Sequence, residues 1–136
     1  AIRTKGYLFI LNFKPERSPL GDHYRLGGSN EPSIRELTKS TKVTIPDEDS
    51  GPTKAWIVSN RKTEAKDYFE HAYGKRPELE LYDVNADPYQ MNNLAQNPEY
   101  QSVVETLRNQ LLDELTSTGD PRMVSDGSFY EEVLVQ

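Results

Sequence analysis

Residues 76–95 read Arg-Pro-Glu-Leu-Glu-Leu-Tyr-Asp-Val-Asn-Ala-Asp-Pro-Tyr-Gln-Met-Asn-Asn-Leu-Ala, and they hold the strand-to-helix transition around which the rest of the chain is arranged. Leu79, Leu81 and Asp83 alternate with Glu80, Tyr82 and Val84. A period of two with apolar residues on both sides is the mark of a largely buried strand. Asp87 then offers an N-cap, Pro88 suits the first helical position, where a missing N–H costs nothing, and Gln90 stands three residues after the cap. A short helical turn through Tyr89 and Met91 is the expectation.

Asn97-Pro98 repeats the device and opens a longer helix. Tyr100, Val103, Val104, Leu107, Leu111, Glu114 and Leu115 recur at helical spacing and make one nearly continuous apolar stripe, which needs a flat apolar partner. Gly119 is placed to end this helix, with Pro121 just beyond. Toward the N-terminus, Tyr7, Phe9, Leu11 and Phe13 fall on one side of a second strand, Leu8 and Ile10 on the other. The fold class that follows is α+β: a small antiparallel sheet including residues 5–13 and 78–84, covered on one face by the helix from Pro98 to about Thr118. A clean antiparallel sheet with one wet face would alternate polar and apolar, so the two apolar faces of the first strand call for a second covering layer.

Between these strands the chain is less regular. Residues 14–32 are rich in Pro, Gly, Ser, Asn and Asp and read as a long loop. Such a loop is uncommon in a compact domain unless it has a function or is disordered. Ser33 to Ser40 suits a short helix with Ile34 and Leu37 inward. Residues 47–52 form an acidic turn. Ala55 to Val58 fit helix or strand by periodicity, with helix preferred, and Lys62 to Gly74 suit a helix closed by Gly74.

The motif Arg-Pro-x-x-Glu-Leu-Tyr-Asp-x-x-x-Asp-Pro-x-x-x-x-Asn-Leu-Ala, followed by a proline-started amphipathic helix ending near Thr-Gly-Asp-Pro, resembles the C-terminal end of the sulfatase family. Further cues are Arg3-Thr-Lys5 leading to Asn12-Phe-Lys-Pro-Glu-Arg17, and the tail Asp126-Gly127 with Glu131-Glu132. Together they are most similar to the heparan N-sulfatase (sulfamidase) branch and its bacterial relatives. The resemblance implies that residues 1–136 form a single C-terminal subdomain of a larger sulfatase. Its partners would be its own N-terminal catalytic domain and a sulfated sugar. It also implies a periplasmic or secreted setting, and a calcium ion and a formylglycine in the catalytic domain, with no cofactor in this chain. The alternative class is a noncatalytic module that binds an acidic glycan or a protein.

Charge and composition narrow the classes. A net charge of -6 argues against nonspecific nucleic-acid binding, and no apolar run approaches the roughly 20 residues that span a bilayer, so neither nucleic acid nor membrane is an expected partner. Residues 1–76 hold 14 Lys/Arg against 10 Asp/Glu (+4), whereas residues 77–136 hold 2 against 12 (-10), an asymmetry compatible with one face meeting an anionic ligand. Zero cysteines exclude disulfides and thiolate metal sites.

Catalytic residues are not expected here. The family's nucleophile is made from Cys or Ser in Cys/Ser-x-Pro-x-Arg. Ser50-Gly-Pro52-Thr-Lys54 imitates that spacing, but with Lys for Arg and in the surroundings of a turn. Asp83-x-Asn85-x-Asp87 has calcium-loop spacing, but Pro88 stands where Gly is needed and Leu94 where Glu is needed, leaving an Asx-capped turn as the reading. For contact with an anionic sugar the candidates are Lys14, Arg17, His23 and Arg25 of the loop, with His71 on an aromatic helix and Arg76 at the entry to a strand, where a structural ion pair competes with a substrate contact.

Overall fold

The computed structural model describes residues 1–125, and these fall into two compact units: Ala1–Lys14 together with the chain from Pro77 onward, and residues 15–76. The Asp126-Gly127 and Glu131-Glu132 cues lie outside the described residues.

In the first unit, β1 (Ile2–Arg3), β2 (Tyr7–Leu11) and β3 (Leu79–Asp83) form an antiparallel sheet in the order β1-β2-β3. The Thr4 hydroxyl turns the chain between β1 and β2 by accepting from the amides of Gly6 and Tyr7. Register aligns Ile2 with Phe9 and Phe9 with Leu81. Backbone bonds from Val84 to Gly6 and from Asn12 to Glu78 extend the β2–β3 pairing at both ends, close to the limits expected from the sequence. A 3-10 turn (Pro98–Tyr100) and helix α4 (Gln101–Ser117) follow, and Val104, Leu107 and Leu111 close a core with Phe9, Leu81 and Ala95. The α+β class and the long helix packed on a small sheet are as expected. On the opposite sheet face Leu8, Ile10 and Tyr82 are half-buried, and the Glu80 carboxylate is buried, accepting from Asn12 Nδ2 (2.8 Å) and the Tyr82 hydroxyl (2.5 Å).

The ends of α4 follow from its sequence. Asn97 Oδ1 accepts from the Glu99 amide at 3.0 Å. Gly119 takes φ +70, which lets its own N–H reach Thr116 O (3.1 Å) and that of Asp120 reach Leu115 O (2.9 Å), the paired bonds of a Schellman stop. Helix α5 (Pro121–Ser125) comes next.

The turn after β3 departs from the sequence reading. Asp83 Oδ1 accepts from the amides of Asn85 and Ala86, so the Asx-capped turn is present. No helix forms through Tyr89 and Met91, because Gln90 adopts φ +56 and the Asp87 carboxylate accepts from the amide of Asn92 (2.7 Å) rather than capping a helix. The loop then returns along β3. Asn93 Oδ1 accepts from the amides of Leu81 and Ala95, its Nδ2 donates to Leu79 O, and the Leu94 amide donates to Leu81 O. An amide side chain thus satisfies the outer edge of β3, which blunts it against pairing with another strand.

The second unit holds α1 (Ile34–Lys39), α2 (Pro52–Ser59) and α3 (Lys66–Tyr73) around Leu37, Ile45, Ala55, Val58, Phe69 and Tyr73. Ala55 to Val58 are helical, as preferred. Ser33 and Glu36 close a reciprocal capping box on α1. Ile34, expected inward, is 65% exposed, because a six-residue helix has room to bury only one apolar position, and Leu37 occupies it.

Candidate functional site

The loop from residue 15 to 32 is organised by ion pairs rather than by an apolar core of its own. Arg25 stands at φ +61 and donates from Nε to Asn30 O (3.0 Å) and from its guanidinium to Glu36 Oε1 (3.0 Å). Glu31 Oε1 accepts from the Gly27 amide (2.9 Å) and from Arg61 (2.5 Å), which also donates to Val58 O. The hydrogen bonds from Ser33 and Arg25 hold the Glu36 carboxyl down at about 2. Arg61, and then the Gly27 amide, hold the Glu31 carboxyl below its ordinary value.

His23 leaves the solvent side of this loop and packs edge-on against Phe69 (5.4 Å) and Tyr73 (6.2 Å), with its Nε2 buried and unpartnered. Burial, and then the Glu48 carboxylate that accepts its hydroxyl, push Tyr73 up to about 12. Next to this core the chain folds around a buried cation. Lys54 is 1% exposed, and its ammonium donates to the carbonyls of Thr41 (3.0 Å), Ile45 (2.9 Å) and Glu48 (2.9 Å), using all three protons. Desolvation lowers its pKa, opposed by Glu48 and Asp49. Within this strap Thr44 sits at φ +70, fully buried with its hydroxyl unpartnered, where Ile45 N donates to Val43 O (2.8 Å) across a three-residue turn. A β-branched residue at positive φ is strained by about 1–3 kcal/mol, and the Lys54 bonds on either side keep it there. The Tyr24 hydroxyl donates to Lys42 O, fastening the loop to the same strap.

Of the six residues singled out in the sequence, Arg25 is engaged with Glu36 and His23 with the core aromatics. His71 is exposed on α3, and its carbonyl accepts from Arg76 (2.8 Å). That bond caps the C-terminal end of α3 in place of the ion pair expected of Arg76. Arg17 is exposed and Lys14 half-buried, and each interacts with another group of the chain. Sequence reasoning set Lys54 aside with the imitation nucleophile motif and did not foresee its burial. Its one signal was a lone basic residue on the inner face of an otherwise apolar helix.

The resemblance places calcium and formylglycine in the catalytic domain rather than in this chain. Among the described residues no three His, Asp or Glu side chains gather as a metal site, and the lysine of the imitation motif is locked among carbonyls. In the first unit, a depression of about 370 Å³ beside Thr4, Tyr7, Val103 and Gln110 contains none of the six. No helix among the described residues is long and apolar enough to cross a membrane.

Comparison with known proteins gives a consistent direction. The chain is 32% identical over 123 residues to an ulvan-active sulfatase of Formosa agariphila, covering 88% of this chain and 17% of that protein. A second ulvan-active sulfatase of the same organism is 39% identical over 49 residues, covering 36% of this chain and 10% of that protein. The sulfatase resemblance is thereby supported at the level of the family, though not the sulfamidase branch in particular. The chain spans less than a fifth of the length of either relative. No protein-family model matches it, and no solved structure does.

Proposed function

We propose that this chain is the C-terminal subdomain of a sulfatase-type hydrolase cleaving sulfate esters of sulfated sugars, completing the fold and walling one side of the substrate pocket. The observation that carries the reading is the identity of 32% over 123 residues to an ulvan-active sulfatase, joined to the α+β scaffold of a small sheet and a long helix. Sulfuryl transfer needs an activated attacking group and stabilisation of the charge that develops on the sulfuryl oxygens. In this reading both come from an N-terminal catalytic domain that carries the formylglycine and calcium, in a periplasmic or secreted enzyme. The finer substrate is a sulfated polysaccharide, ulvan-like on the strength of the relatives. The sulfamidase branch, with N-sulfated glucosamine, is the second choice and rests on the motif of residues 76–95 taken together with the helix that follows it and the further cues in the sequence.

The experiment is sulfate release from ulvan oligosaccharides and from N-sulfoglucosamine, by the 136-residue chain and by the parent protein. The parent is expected to turn over and the chain alone to release none. Turnover by the chain alone would overturn the assignment. In the parent, Lys14→Gln with Arg17→Gln should raise KM with little change in kcat, because a pocket wall binds ground and transition states alike.

A further inference from the structure

Two large aromatic rings on the second unit have no role in its core. Trp56 on α2 is 45% exposed and Tyr68 on α3 is 63% exposed, yet their rings meet edge to face, with centroids 5.9 Å apart at 61°. The buried faces of the same helices are already supplied by Ala55 and Val58 on α2 and by Phe69 and Tyr73 on α3. The outer pair is therefore apolar surface that these two helices do not use for their own packing.

Its setting is polar. Thr53 lies one turn before Trp56, and His71 one turn after Tyr68, both exposed, while the small side chain of Ala72 leaves the approach to the tyrosine ring open. Nearby in sequence, Lys62 and Lys66 stand with Glu64, Asp67 and Glu70, while Arg61 is held by Glu31. Even fully covered, two such side chains offer only about 250 Å² at these exposures, far below the roughly 800 Å² per partner that a stable protein interface buries. One or two sugar rings match that area. A pyranose carries C–H bonds on one face and hydroxyls around its rim. The C–H face complements the electron-rich face of an aromatic ring, and the rim suits a hydroxyl and an imidazole beside it.

We infer that Trp56 and Tyr68 form a docking shelf for the sugar rings of a polysaccharide chain, holding it by ring stacking rather than through its sulfates. This inference rests on the sulfated-sugar reading above and extends it to a site that grips the polymer, in which His71 serves as a rim group. Because ring stacking uses no ionic contact, binding at the shelf is insensitive to salt and to sulfation, unlike binding at a cationic loop.

Trp56 is the only tryptophan, so its emission reports the shelf directly. Titration of the full chain with native and desulfated ulvan oligosaccharides should give a saturable change in emission with both, retained at about 1 M salt, where the Debye length is about 3 Å. Tyr68→Ala should weaken binding up to about tenfold, the scale of one aromatic contact, while Tyr68→Phe, which keeps the ring, binds as the wild type does. No saturable change with either oligosaccharide overturns the inference. So does a response confined to the sulfated form or abolished by salt, and so does undiminished binding by a Tyr68→Ala chain of native circular dichroism. Sulfate release by the parent bears on the enzymatic reading alone, so a parent that turns over beside a silent Trp56 sinks the shelf and leaves that reading standing.

Discussion

Replacing Lys54 with methionine keeps the unbranched stem of the side chain, one atom shorter, and removes every donor. Of the three carbonyls that Lys54 serves, only that of Ile45 is joined in a fully buried bond, whereas the bonds to Thr41 and Glu48 are partly buried. An orphaned buried acceptor costs about 1–3 kcal/mol, and the two others recover part of their loss from water. Methionine gains by sparing the desolvation of an ammonium, so the net loss expected for Lys54→Met is about 2–4 kcal/mol. Urea unfolding followed by Trp56 emission reads this, since the tryptophan lies two residues away on the same helix. The midpoint should fall with the slope unchanged, as for a mutation that alters stability without altering the surface exposed. Hydrogen exchange of the Ile45 amide should quicken as well, because that N–H closes the strained turn at Thr44. A loss under about 0.5 kcal/mol, or native protection at Ile45 in the variant, would refute the argument that the ammonium holds residues 41–48 in place.

Leu111→Ala should cost about 2–5 kcal/mol by equilibrium denaturation, as a large-to-small change in a core shared with Phe9 and Leu81; a loss below about 0.5 kcal/mol would place that helix face in solvent. Gly74→Ala should cost about 1–3 kcal/mol by overpacking rather than backbone strain, because its Cβ would stand 2.4 Å from Glu70 O; thermal melting at unchanged temperature would mean that the end of α3 yields freely. For Glu36 the folded pKa is depressed from 4.5 to about 2, so its contribution is present above about 4.5 and lost as pH falls through about 2. In an acid titration of stability Glu36→Gln should lack that component, and matching wild-type and variant curves would remove the carboxylate from the capping box.

What could be read from the sequence, and what could not, divides along a physical line. The strand character of β2 and β3, the stripe of α4 and the Gly119 stop are local or periodic patterns, and each follows from spacing alone. Asn93 and Lys54 act otherwise. One amide stands in for a missing strand, and one ammonium gathers three carbonyls from a loop. Neither job leaves a period, because both depend on where the backbone comes to rest. The same distinction weakens the electrostatic case for a sugar site in the loop. The excess of basic residues over 1–76 suggested a cationic surface, yet Arg25, Lys54, Arg61 and Arg76 are bound to carbonyls or carboxylates of their own unit. Cations that order a loop lose much of their reach toward a sulfate, since their charge is met at contact distance. The aromatic pair on α2 and α3 has no such internal claim on its exposed faces, so for sugar binding its uncharged surface weighs more than the charge count does.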